Sequence, residues 1–342
     1  MDKLFLNGIM GLVTGDALGA PVEFGERWMR DLDPVKEMRS GGLFEVPVGG
    51  WTDDTSMVLA TLESLKTGFN PENMMHQFIA WLRQGKYSLF DYPIGIGKQI
   101  LAAIERYEKN GDINTCGGSK ESDNGNGSLM RILPICLYGY KQIKEGDMTL
   151  NEVISMIHQA SGLTHNHARS KIACGLYYFI AESILEEKNT LNENGASSDK
   201  SALIHCIQSG INKGFKFYQG NSGKNFFSEH ENVMEELGYY TRLRDLNIFR
   251  CTKREEINST GYVVDTLEAA VWSLITENCL EKSLLKAVNL GLDTDTIAAA
   301  AGGLAGLYYG YSGIPQKWLE QIQKRQEIEG VCAWFDGYLG II

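Results

Sequence analysis

Several absences narrow the field first. None of the seven cysteines, Cys116, Cys136, Cys174, Cys206, Cys251, Cys279 and Cys332, forms a CxxC pair. An odd, dispersed set reads as reduced thiols in a cytoplasmic protein rather than as a disulfide framework. No basic stripe is visible and the net charge is −11, which argues against wrapping nucleic acid or coating an anionic membrane. No apolar run reaches the roughly 18 residues that span a bilayer. The flanks of the apolar N-terminus, broken by Asp2, Lys3 and Asp16, do not fit a signal peptide. There is no GxxxxGK[ST] loop, no strand followed by GxGxxG, no HExxH and no solenoid-length repeat. Strand signals are few.

What is present is helical spacing. Apolar residues fall at 57, 58, 59, 62 and 65, and again at 74, 75, 78, 79 and 82. Similar patterns cover about 96–108, 128–141, 150–161, 167–187, 201–218, 263–276, 281–290, 296–309 and 315–326. The expectation is an all-α chain whose 342 residues form one domain, with polar loops or insertions around 188–200 and 219–260. It is expected to act as a monomer.

Two acidic stretches stand far apart. In GGWTDDTSMVL, Asp53 and Asp54 lie between Thr52 and Thr55 at the start of an apolar run. In GLDTDTIAAAAGGLAG, Asp293 and Asp295 alternate with Thr294 and Thr296 before a small-residue helix. Helix capping explains one Asp or Thr at such a place. It does not explain two carboxylates beside dense apolar sequence, twice. Burying uncompensated carboxylates costs several kcal/mol per group or forces protonation. A hard dication removes that cost, since Mg²⁺ takes carboxylate, hydroxyl and water oxygens. Four aspartates balance two dications, so the pattern points to a two-metal site if the fold joins the stretches.

Other signals are weaker singly. In GNGSLMRILPI, Gly125, Asn126, Gly127 and Ser128 precede an apolar run, and in GIGKQIL Gly95 and Gly97 open a helix; both suit a backbone approached by phosphate. The first is also an ordinary Asn-Gly turn. His165 and His167 lack the Cys or third His that completes a zinc set, so one is expected to cap the next helix or bond a ligand. In GDALGAPVEF, Asp16 and Glu23 are acids among small residues, and Glu23, between Val22 and Phe24, is a candidate for a raised pKa and acid/base work.

Taken together, GDALGAPVEF, WTDDTSM, GNGSLMR, LTHNH, GYVVDTLEAAVWSL and LDTDTIAAAAGGLAG resemble the ADP-ribosylglycohydrolase family, in order, from about residue 8 to 310. The resemblance implies an all-α fold with a two-metal centre holding two Mg²⁺, or Mn²⁺ in some bacterial members. It implies cleavage of ADP-ribose from a modified arginine or serine, with an ADP-ribosylated protein or ADP-ribose as partner. Thr52, Asp53, Asp54, Asp293, Asp295 and Thr296 match the metal motifs, and Glu23, Asp53, Asp54 and Asp295 the catalytic acids. Gly95, Gly97, Asn126, Gly127 and Ser128 match loops near the diphosphate, His165 the cleft wall, and Tyr262 the adenosine end. Two departures stand out. Arginine-directed members carry Asp-Ile-Gly where this chain has Gly95-Ile96-Gly97, leaving Asp91 as a candidate substitute. Leu292 stands where Gly is common. The rival readings are a non-catalytic ADP-ribose binder and an isoprenoid-synthase-type Mg²⁺ enzyme, whose DDxxD spacing TDDT does not match.

Overall fold

The computed structural model describes residues 3–193, 200–227 and 232–337. These residues contain no named strand, only three isolated bridges between loops. The longer helices are α1 (Leu4–Gly19), α2 (Asp53–Leu65), α3 (Pro71–Gln84), α4 (Lys98–Asn110), α5 (Leu133–Glu145), α6 (Leu150–Gly162) and α7 (Ala168–Glu193). They continue as α8 (Lys200–Gln219), α9 (Val263–Thr276), α10 (Leu280–Val288), α11 (Thr294–Tyr309) and α12 (Arg325–Asp336).

The centre of the fold is the pair α1 and α11, which run antiparallel. Gly19 meets Asp295, Gly15 meets Ala298, and Gly11 meets Gly302. A Cβ added at Gly15 would lie 1.9 Å from the Ala298 carbonyl oxygen, so only glycine permits this approach. The small-residue run of α11 therefore serves close helix packing, as its composition suggests. Because the helices are antiparallel, the C-terminal end of α1 and the N-terminal end of α11 lie together. Asp16 and Asp295 are thereby brought to one place.

Helix α1 is not visible as an amphipathic pattern because it is buried on nearly all sides, every residue from Phe5 to Gly19 except the half-buried Asn7. The stretch Leu4–Val22, 19 residues long, is apolar enough by length and composition to cross a membrane, contrary to the expectation from the sequence; 94% of its best window is buried inside this fold. The pattern at 315–326 breaks into two helices, Gln316–Gln321 and α12, because Lys324 adopts a left-handed conformation.

The polar region differs from a plain loop. Residues 188–193 continue α7, whereas 194–199 and 228–231 lie outside the described residues. Within 232–260 short helical turns follow one another, and Val233, Leu237, Tyr240, Leu243, Leu246 and Phe249 are buried in the main core. Their polar, Asn-rich neighbours hide that apolar set in a linear reading.

Candidate active site

Two helix N-termini converge on the end of α1. Thr52 is the N-cap residue of α2, and Asp293 that of α11, yet neither side chain caps its own helix. The cap of α2 comes instead from Asp16 on α1. Its carboxylate accepts from the Thr52 amide and hydroxyl, both at 3.0 Å, and from the Thr55 amide at 3.0 Å and hydroxyl at 2.6 Å. With α2 capped by Asp16, Asp53 and Asp54 are free to point inward.

They point at one another. The Thr52 hydroxyl lies 3.0 Å from Asp16, 3.4 Å from Asp54 Oδ2 and 3.3 Å from Asp295 Oδ2. One hydroxyl proton cannot serve three carboxylates. The Thr296 hydroxyl lies 3.4 Å from Asp54 Oδ2, which ties the two stretches together. Glu23, Asp293 and Asp295 place one carboxylate oxygen each within 4.8 Å of the others. Asn126 Nδ2 donates to Asp293 Oδ2 at 2.5 Å and to the Thr266 hydroxyl at 2.9 Å, so it orients that acid.

The cluster carries its electrostatic cost openly. Burial, reinforced by Asp293 and Asp16, pushes Glu23 up to about 8. Burial raises Asp16 to about 6 against the lowering effect of its threonine donors. Asp53, Asp54 and Asp295 are held well above the usual carboxylate range, first by burial and then by neighbouring acids. Asp293 is raised by burial, with Asn126 opposing. Glu23 Oε2 and Asp54 Oδ1 are buried and have no hydrogen-bond partner in the protein. Hard-oxygen donors, surplus negative charge and two orphaned carboxylate oxygens fit a divalent cation.

Above the cluster lies a cleft of about 810 Å³. Its floor is Glu23, Asp53, Asp293, Asp295 and Thr296, and its walls include Gly95, Gly97, Gly125, Asn126, Gly127 and His165. Thr52 and Asp54 sit beneath this floor, fully buried. Gly97 is the N-cap residue of α4 and turns that helix's start toward the cleft wall. Ser128 does not line the cleft. Its side chain is buried, accepting from Ser161 Oγ at 3.0 Å beside Cys174. Tyr262 does not line it either: its hydroxyl accepts from Arg169 Nη1 at 2.9 Å. His167 Nδ1 accepts from the Arg169 amide at 3.2 Å and so caps α7, as expected of one of the pair, while His165 faces the cleft.

The Gly95 departure has a structural consequence. Gly95 has φ +72°, and a Cβ there would stand 2.1 Å from Asp53 Oδ1. Aspartate therefore does not fit at 95 with Asp53 in this place. Asp91 does not substitute: it is exposed, and its carbonyl packs against Gly85. Asp16 was visible as an acid in a small-residue setting, but nothing in its spacing marked it as the cap of a helix that begins 37 residues later.

Among the described residues, helices that gather acids at two of their N-termini beneath a cleft define a class: a helical protein with a buried carboxylate centre suited to metal. The chain belongs to the ADP-ribosylglycohydrolase family, whose pattern it matches over residues 2–339. It is 30% identical over 326 residues to ADP-ribosylarginine hydrolase Tri1 of Serratia proteamaculans, covering 95% of this chain and 76% of that one. It is 28% identical to the ADP-ribosyl-[dinitrogen reductase] glycohydrolase of Rhodospirillum rubrum, covering 95% and 92%. Identity to human ADP-ribosylhydrolase ARH3 is 22%, covering 95% and 90%. A solved structure described as an ADP-ribosylglycohydrolase-related protein complex superposes with a TM-score of 0.73 at 29% identity, covering 98% of each chain.

Proposed function

We propose that this enzyme hydrolyses the bond between the anomeric carbon of ADP-ribose and a modified arginine or serine side chain. The observation that carries the reading is the convergence of both acidic stretches beneath the cleft, with Asp16 capping α2 in place of its own Thr52. Thr52, Asp53, Asp54, Asp293, Asp295 and Thr296 are the proposed ligands of two Mg²⁺ ions, or Mn²⁺. Bound there, the metals would supply Lewis-acid charge to the reaction. The glycosidic bond breaks, the oxygen of water bonds to the anomeric carbon, and the side-chain atom leaves with a proton. Glu23 lines the cleft beside Asp293 and Asp295, and without metal its burial pushes the carboxyl up to about 8, so it is the proposed acid/base. Backbone at Gly95, Gly97 and Gly127, with His165, is the proposed diphosphate wall.

Two observations bear on the acceptor. The ADP-ribosylarginine hydrolase named above is 30% identical, which supports arginine. Glycine at 95, where Asp would meet Asp53, supports serine. Release of ADP-ribose from an arginine-modified and a serine-modified peptide, each with Mg²⁺ and with EDTA, tests the whole reading. Metal-dependent release from one peptide is expected and names the acceptor. Binding of ADP-ribose without release from either peptide would instead support a non-catalytic binder. Asp53→Ala and Asp295→Ala should each lose at least a thousandfold in turnover while remaining folded; wild-type turnover in either would sink the two-metal proposal.

A further inference from the structure

A buried cation lies behind the cleft wall. Arg131 ends the short turn Leu129–Arg131 and is 0% exposed. Buried charges ordinarily pair with an opposite charge, yet among the described residues no ion pair includes it. Its guanidinium carbon stands 4.6 Å from the centre of the Phe78 ring, and Nη2 donates to the Ala160 carbonyl at 3.0 Å and to the Thr164 hydroxyl oxygen at 2.8 Å. The Thr164 hydroxyl in turn lies 2.8 Å from His165 Nδ1.

Proton counting settles the direction of that last bond. Arginine only donates, so Thr164 Oγ1 is an acceptor toward Arg131. Thr164 is fully buried, and His165 Nδ1 is the hydroxyl's one available acceptor among the described residues. If Nδ1 carried the proton, the threonine proton would be left unpaired in the interior, at a cost of about 1–3 kcal/mol. Nδ1 is therefore the acceptor, and the ring proton sits on Nε2. That nitrogen is on the cleft side: a Cβ at Gly125 would stand 3.4 Å from it. Burial, with Arg131 nearby, also holds His165 down at about 3, so the ring is neutral.

We propose that Arg131 is a positioning residue which, through Thr164, locks His165 in the tautomer that presents Nε2–H to an anionic oxygen of the ligand. The donor is uncharged and does not change with pH through the neutral range. This rests on the reading of the cleft as the ADP-ribose site only for the identity of the oxygen; the tautomer itself does not depend on it.

Histidine ¹⁵N NMR of the full chain reports which ring nitrogen bears the proton, with His165→Gln assigning the signal. In wild type the Nε2–H pattern is expected from pH 6 to 8. Thr164→Ser should retain it. Thr164→Val, and Arg131→Met if it folds, should lose it, because the hydroxyl proton or the donor that directs it is gone. With a modified peptide, Thr164→Val should raise KM on the order of tenfold, the loss of a hydrogen bond to a charged group, with a smaller change in kcat. A wild-type His165 protonated on Nδ1 or on both nitrogens, or an unchanged pattern in Thr164→Val, overturns the proposal. The expected tautomer pattern together with no ADP-ribose binding by calorimetry would leave the lock standing and remove the reading of the cleft.

Discussion

The segment Thr52–Thr55 is held by one buried acid, whereas the segment Asp293–Thr296 is held chiefly by backbone, with Asn126 orienting Asp293. Asp16 fastens the first through four donors. The second is fastened by amide–carbonyl bonds: Phe24 N to Leu292 O and Leu292 N to Gly25 O, each 2.7 Å, and Asp293 N to Ser259 O at 3.0 Å. Phe24 and Leu292 both adopt positive φ, 62° and 60°, to make that exchange. The same Asp/Thr vocabulary is thus anchored once by a buried charge and once by local strain. Strain of this kind costs about 1–3 kcal/mol per residue and persists where the surroundings over-determine it. The first anchor depends on a titrating group; the second does not.

Removing the surface both anchors share should have the largest effect. Gly15→Val drives a branched side chain into the backbone of α11, and a loss of about 4 kcal/mol or more is expected, seen as a collapse of the thermal melt. Next comes the side-chain anchor alone. Asp16→Ala leaves the amides and hydroxyls of Thr52 and Thr55 without their acceptor, costing about 3 kcal/mol in denaturant titrations and lowering turnover with it. Asp295→Asn should do the opposite to stability. It relieves repulsion from Glu23 and Asp54, so metal-free protein should gain about 1 kcal/mol at pH 8 while turnover disappears. A destabilised Asp295→Asn would mean that the acid is structural.

The titrating anchor and the cluster also predict a pH trend. Folding raises Asp16 from 3.8 to about 6 and Glu23 from 4.5 to about 8. The folded state keeps protons that the unfolded chain has released, so their contribution is fully present below about pH 4 and is lost as pH rises through 6 and 8. In EDTA the unfolding free energy should therefore decline from pH 5 to 8. Millimolar Mg²⁺ should oppose the decline, because it binds the deprotonated folded site. Chemical denaturation at several pH values, with and without Mg²⁺, checks both halves; a flat EDTA profile would break the comparison. The smallest effect is expected at the strained anchor. Leu292→Gly relaxes a positive φ but gives up a partly buried side chain, so stability should move by less than about 1 kcal/mol and turnover should persist.

Much of this site was legible in one dimension, though unevenly. Helices with a polar face, such as α3 and α4, appeared with ends within a few residues because exposure on one side leaves a periodic trace. Helix α1 left no such trace, being buried nearly all round. Ser128 and Tyr262 were grouped with the cleft through their motif neighbours, yet the side chain of one turns to Ser161 and that of the other to Arg169. A motif constrains backbone position more tightly than side-chain direction, and here the cleft follows Gly127 and Gly261 rather than Ser128 and Tyr262.

By itself the sequence determined that this protein is helical, that it carries two doubled acidic stretches no single cap requires, and that their surplus charge would suit a cation if the fold joined them. Those are properties of composition, periodicity and local charge, which neighbours along the chain suffice to reveal. Only the tertiary structure decided that Asp16 caps α2 in place of Thr52, that Gly95 leaves no room for an acid beside Asp53, and that Arg131 reaches His165 through Thr164. Each of these is a contact between segments set side by side by the close packing of α1 on α11 and its neighbours, and no local pattern encodes which partner such packing will supply.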